Sequence, residues 1–368
     1  MKVIVVIIML LCSSYTMASE RISIISKNLS QGYVAPVLTD DSVILVDKRG
    51  TLYSFDIDNS RVLNWKSSFS HNKKIGNMSL SRNEEHAFFI VDNILHTIDA
   101  KTGKVKWEKE LRAPVRGDVA IINNKLVVLT VDNYLYVIDI KDGSSVWTYQ
   151  NCISGIRGLY SVSPAISNHA IIAPFSNGEL IAFNEEDGKK LWSQKLSTNL
   201  FSTHLTDVTT TPRVHGDVLI AANNSYVYGI DTKSGNILWS KPLQIKSISG
   251  IESYYSTIMS EKRAGGRIFV ITKNNKIIGL NILDGETVWT SDLIENTRLF
   301  APTVYANTLW VVGNKGSVFA FPCSDSAGKV VKIPGSVFHT PVFTRNKIYI
   351  TTEKSGVYSL ENRFVFYD

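Results

Sequence analysis

Short apolar segments with residue-by-residue alternation recur along the chain: Leu52-Tyr53-Ser54-Phe55, Leu135-Tyr136-Val137-Ile138, Val227-Tyr228-Gly229-Ile230, Val318-Phe319-Ala320-Phe321 and Val357-Tyr358-Ser359-Leu360. A period of two in β-branched and aromatic residues predicts strands, not helices. Each segment follows another apolar run, such as Val43 to Val46, Leu126 to Thr130, Leu219 to Ala222 or Ile348 to Thr351. Between the two runs stand residues suited to positive φ: Gly50, Asn93, Asn133, Gly178, Ser225, Asn275, Gly316 and Ser355-Gly356. Such residues are what a tight hairpin requires. Eight hairpins are thus predicted, and no helical period appears after the first 18 residues.

A second pattern follows most of the hairpins. Asp or Asn, three residues, Gly, three residues and Trp occur with identical spacing at Asp99-Gly103-Trp107, Asp139-Gly143-Trp147, Asn184-Gly188-Trp192, Asp231-Gly235-Trp239 and Asn281-Gly285-Trp289. Asp56 to Trp65 is a looser copy, and the stretch from Phe321 to Lys332 has lost its Trp. From Gly50 to Ser355 is 305 residues over seven steps, a mean period near 44. A four-stranded sheet cannot bury its faces alone, so repeats of this length pack side by side round an axis. The expected fold is all-β, an eight-bladed β-propeller of four-stranded antiparallel blades. The Trp side chains are expected to pack on neighbouring blades and not to stack a ligand, with Gly and Asp serving the turn. Because no Gly-xxx-Trp strand follows Thr340 to Glu361, Ile22 to Ser26 is expected to supply the missing outer strand, with the tail from Arg363 to Asp368 as the competitor.

Composition narrows the function. The chain has 368 residues, 44% of them hydrophobic, with 39 Lys+Arg against 33 Asp+Glu. The resulting charge of +6 is spread thinly, unlike the clustered basic face that nucleic acid requires. Lys2, the apolar run from Val3 to Cys12 and the small residues ending at Ala18 have the layout of an export signal, so residues 1–18 are expected to be a signal peptide and 19–368 a single propeller domain. Two processing routes stay open: cleavage after Ala18, or lipid attachment at Cys12, where Leu11 is an unusual preceding residue. The seven His show no metal-ligand spacing, and no Cys-x-x-Cys, Gly-x-Ser-x-Gly, phosphate loop or dinucleotide fingerprint occurs. No catalytic residue, cofactor or metal is therefore expected.

The connectors between blades vary most. Trp147 to Pro164 is 17 residues and Trp192 to Pro212 is 20, against 13 for Trp289 to Pro302, and the connector after Trp239 is also long. Clustered insertions on one face mark a working surface. They carry Ile156-Arg157-Gly158-Leu159-Tyr160, Leu205-Thr206-Asp207, and Ile248, Ile251, Tyr254 and Tyr255, the residue mix of a protein-binding hot spot or, equally open here, a cover for the propeller's own core.

The Asp/Asn-xxx-Gly-xxx-Trp unit resembles the repeat of the pyrroloquinoline quinone (PQQ)-like propellers over nearly all of residues 30–361. Within them the chain is similar to the BamB-like family, propeller subunits of the machine that inserts β-barrels into the bacterial outer membrane. Ile156-Arg157-Gly158, shortly before Ser163-Pro164-Ala165, is similar to that family's hydrophobic-x-Arg-Gly-x-Ser-x-Pro loop, and Asp207-Val208-Thr209-Thr210-Thr211-Pro212 to its Asp-x-Asp-Thr-Thr-Pro loop. The resemblance implies a non-catalytic periplasmic scaffold, peripheral to the inner face of the outer membrane and monomeric within a complex. Its partners would be the periplasmic domains of the barrel-inserting subunit and unfolded outer-membrane proteins. It implies partner contacts at Ile156, Arg157, Leu159, Asp207 and Thr209, the last replacing the family's second acidic residue. The rival reading on the same fold is a quinoprotein dehydrogenase holding PQQ and calcium in the central funnel. Many such enzymes carry adjacent cysteines, whereas Cys152 and Cys323 are far apart here. A general periplasmic interaction propeller is the third reading.

Overall fold

The computed structural model describes residues 20–22, 34–57, 62–69, 78–152, 161–196, 207–244, 251–254, 266–324, 328–333, 335–337, 340–344, 347–352 and 356–361. The signal segment and the Arg363 to Asp368 tail lie outside them. The strands form four-stranded antiparallel sheets arranged as a propeller. Blade 1 spans 37–68, blade 2 78–110, blade 3 120–150, blade 4 165–195, blade 5 213–242, blade 6 251–290 and blade 7 299–332. The expected eight-bladed count is corrected on one point: seven blades of four strands, not eight, are continuous in sequence. The remaining sheet is composite, with Val342–Phe343, Lys347–Thr352 and Gly356–Glu361 joined by Glu20–Ile22. That outer strand begins two residues before the expected one, pairing Glu20 with Ser359, Arg21 with Tyr358 and Ile22 with Val357.

Apolar clusters fill the gaps between neighbouring sheets. Ile44, Leu52 and Trp65 of blade 1 meet Phe89 and Ile98 of blade 2, and the pattern repeats round to Trp310 and Val318 of blade 7 against Ile348 and Ile350. The composite sheet then meets blade 1, where Tyr349 packs with Val43, Leu45 and Phe55 and donates its hydroxyl to Ile57 O at 3.1 Å. Closure is therefore made by side chains as well as by the N-terminal strand.

The repeated motif explains itself at the gaps. Trp65, Trp107, Trp147, Trp192 and Trp239 donate their indole N–H to a carbonyl of the following blade: Ala100 at 2.9 Å, Ile140 at 2.8 Å, Glu185 at 3.0 Å, Thr232 at 2.8 Å and Ile282 at 2.8 Å. Each of these rings lies on the glycine of that next blade. Gly103, Gly143, Gly188, Gly235 and Gly285 have φ between +68° and +75°, and a Cβ there would come within 2.5 to 2.7 Å of the indole. Glycine is thus required twice, by the left-handed backbone and by the ring above it. The Asp or Asn holds the turn: Asp99 Oδ1 accepts from Lys101 N and Thr102 N, and Asn184 Oδ1 from Glu186 N.

Hairpin geometry agrees with the sequence at Gly50, Asn133, Gly178, Asn275 and Gly316, all at positive φ. Asn93 and Ser225 differ. Asp92 takes the left-handed conformation in place of Asn93, and in blade 5 Asn223 Oδ1 accepts from Ser225 N and Tyr226 N, making the turn with a side chain.

Candidate partner-binding surface

In an antiparallel four-stranded blade, the connector to the next blade and the central hairpin lie at the same end. Three successive connectors therefore share one face, and hydrogen bonds tie them together. Val162 N donates to Arg116 O at 3.2 Å, Asp118 N to Ser163 Oγ at 2.7 Å and Ser163 N to Thr211 Oγ1 at 3.1 Å. Gly117 permits the first contact, since a Cβ there would stand 2.5 Å from Val162 O.

Beneath this line lies a buried ion pair. The Arg116 guanidinium, from the connector entering blade 3, pairs with Asp207 of the connector entering blade 5. It also donates to Pro174 O of blade 4 at 2.7 Å and to Val208 O at 3.3 Å. One arginine thus joins three blades. Desolvation outweighs attraction at both partners: burial pushes the Asp207 carboxyl up to about 6 although Arg116 pulls it down, and burial lowers Arg116 although Asp207 raises it. Asp207 Oδ2 has no hydrogen-bond partner. A pair in this condition adds little net stability, but removing one member strands the other charge.

Of the expected contact residues, Ile156, Arg157 and Leu159 lie outside the described residues. Asp207 and Thr209 are described, and both are buried, at 1% and 0% exposure. Thr209 N donates to Ala222 O at 3.0 Å. In this chain the two side chains face inward, Asp207 toward Arg116 and Thr209 toward blade 5. Arg116 went unnoticed in the sequence. Its signal was present, since Val115-Arg116-Gly117 repeats the aliphatic-Arg-Gly order of Ile156-Arg157-Gly158.

Cys152 is exposed and Cys323 buried, and no disulfide joins them. Among the described residues no group of three or more His, Cys, Asp or Glu side chains is placed to hold a metal ion.

A family model described as outer membrane protein assembly factor BamB matches residues 63–253 and 223–330. The BamB of Yersinia pestis is 23% identical over 349 residues, covering 89% of this chain and 84% of that protein. The BamB of Escherichia coli (strain K12) is 30% identical over 206 residues, 54% of this chain and 49% of its own. The crystal structure of BamB from Moraxella catarrhalis matches the fold with a TM-score of 0.74 at 16% identity, covering 93% of this chain and 99% of that one. Proteins of this name are assembly factors, a non-enzymatic scaffold role and not that of the dehydrogenase alternative. The PQQ-like repeat, the propeller and the matched span agree, and the chain belongs to the family of the outer membrane protein assembly factor BamB.

Proposed function

We propose that this chain assists outer-membrane protein assembly by docking onto the periplasmic domains of the barrel-inserting subunit through the connector face of blades 3 to 5. The observation that carries this reading is the interlocking of three connectors on one face by the Arg116–Asp207 pair and the Ser163–Thr211 bond. A loop anchored at its base presents its side chains with less ordering cost on binding. In this reading Ile156, Arg157 and Leu159 make the contacts, while Asp207 and Thr209 hold the neighbouring connector in place. The protein works in the periplasm at the inner face of the outer membrane, as a single copy within a complex. Cleavage after Ala18 and a lipid anchor at Cys12 are both compatible with it.

Pull-down with the purified periplasmic domains of the barrel-inserting subunit tests the assignment. Arg157→Ala is expected to weaken capture tenfold or more with an unchanged melting temperature, whereas Asp207→Ala lowers both capture and melting temperature. Capture undiminished by either change rejects the surface.

A further inference from the structure

We propose that the cleft between blades 1 and 2, on the face opposite the interlocked connectors, binds a lysine- or arginine-bearing segment of a partner protein. The first hairpins of both blades and the turn after Asp99 enclose about 650 Å³, within the range of ordinary ligand cavities. These turns connect the first strand to the second and the third to the fourth, so they lie at the blade end away from the connectors. The cleft is therefore independent of the docking surface proposed above, and both can be occupied together.

The turn tips carry Asp40, Asp41, Glu84 and Glu85, and all four line the cleft. They are exposed, and their carboxylates make no hydrogen bond or ion pair with the described residues. Asp99 differs, being engaged by Thr102 and by Lys106 Nζ at 3.2 Å. Lys101 also lines the cleft, so five carboxylates stand there with two ammonium groups, and a chain of net charge +6 gathers an excess of acid at one place.

Comparison with the gap between blades 3 and 4 shows that this is not what the repeat demands. There the corresponding turn residues are Asn123, Asn124, Asn168 and His169. Glu185 closes that gap, accepting from Asn123 Nδ2 at 3.0 Å and pairing with His169 Nδ1 at 2.8 Å. Ala100 occupies Glu185's place in the first gap, so no such clip forms.

The interior of the cleft is unsatisfied as well. Ser54 lines it at 1% exposure, and its Oγ has no hydrogen-bond partner. His86 Nδ1, also in the lining, is buried and without a partner. Buried polar atoms are normally paired, and a donor entering from outside would complete Ser54. Ammonium and guanidinium groups have N–H donors and positive charge, and they carry no acceptor to compete with the carboxylates. A metal ion fits poorly, because among the described residues no three acidic or imidazole groups converge on one point. Two facing turns with adjacent carboxylates match successive basic side chains along an extended segment, and the cleft volume accommodates more than one of them.

The test uses a fluorescently labelled, capped tetralysine peptide and the chain lacking residues 1–18, read by fluorescence anisotropy. Binding is expected, weakened at least tenfold in Asp41→Asn/Glu85→Gln and about threefold in Ser54→Ala, which leaves the net charge unchanged. Asp292→Asn/Glu295→Gln removes the same charge from exposed positions on the connector face, and is expected to change the affinity less than twofold. Melting temperatures of all variants verify folding. Equal loss in the two double variants, or no loss in Ser54→Ala, reduces the effect to diffuse charge and overturns the proposal. Spermine binding while the peptide does not assigns the cleft to a small cation and overturns it also.

Discussion

Two gaps in the ring use the same indole differently. Between blades 4 and 5, Trp192 lies on Gly235 and donates to Thr232 O. Between blades 6 and 7, Trp289 has no hydrogen-bond partner. The corresponding carbonyl, Cys323 O, accepts instead from the buried Arg267 guanidinium, and the Trp289 ring sits beside Phe269 and Phe321 with centroids 5.6 and 6.2 Å away. The difference teaches that the Gly-xxx-Trp unit is half of a lock whose other half belongs to the next blade. Blade 7 has Pro322-Cys323 where its predecessors have Asp or Asn and a carbonyl that accepts the indole N–H, so a well-formed Trp meets an altered receiver.

The largest expected effect separates the two gaps directly. Trp192→Ala removes a buried ring that fills the seam and leaves Thr232 O unpaired, at a cost of about 3 to 5 kcal/mol. Trp289→Ala loses packing but no hydrogen bond, so its cost should be smaller by about 1 kcal/mol. Urea denaturation of both variants gives the comparison. Equal losses would mean that the indole N–H contributes nothing to the lock.

Much of this was legible in the sequence because it rests on local rules. Identical spacing placed the Trp residues on the outer strands, and alternation placed the strands themselves, since both depend on short-range geometry. The open last repeat predicted an N-terminal strand, although its start shifted by two residues from Ile22 to Glu20. What escaped depends on tertiary placement. Asp207 reads as a surface acid in a polar loop, and only the fold shows it meeting Arg116, 91 residues away. Likewise Asp40, Asp41, Glu84 and Glu85 look like ordinary turn residues until two blades bring them to one cleft.

Two buried arginines, Arg116 and Arg267, sharpen the contrast between the sectors. Arg267 donates to a carbonyl that does not titrate, whereas Arg116 faces a carboxylate that does. Asp207 is raised by burial from 3.8 to about 6. A carboxyl with a higher pKa in the folded chain binds its proton more tightly there, so its contribution to stability is fully present below about pH 4 and is lost as pH rises through about 6. Between pH 7 and pH 5 the wild type should therefore gain about 1 kcal/mol relative to Asp207→Asn. Unfolding free energies of both proteins at the two pH values measure it. A difference that stays constant, or one that shrinks toward pH 5, would show that Arg116 keeps the carboxylate ionised.

The finest distinction comes from removing only the indole nitrogen. In Trp107→Phe the ring stays in the seam, but Ile140 O loses a donor at 2.8 Å, which costs about 1 kcal/mol. In Trp289→Phe no hydrogen bond is lost, and a buried N–H that has no partner disappears with the nitrogen. Leaving such a donor unsatisfied carries a desolvation penalty of about 1 to 3 kcal/mol, part of which the substitution recovers against the smaller area of the phenyl ring. Trp289→Phe should accordingly be neutral or stabilising while Trp107→Phe is destabilising. Opposite signs from one chemical change at equivalent positions would locate the difference in the receiving blade; a shared sign, read by thermal melting of the two variants, would return it to the tryptophan.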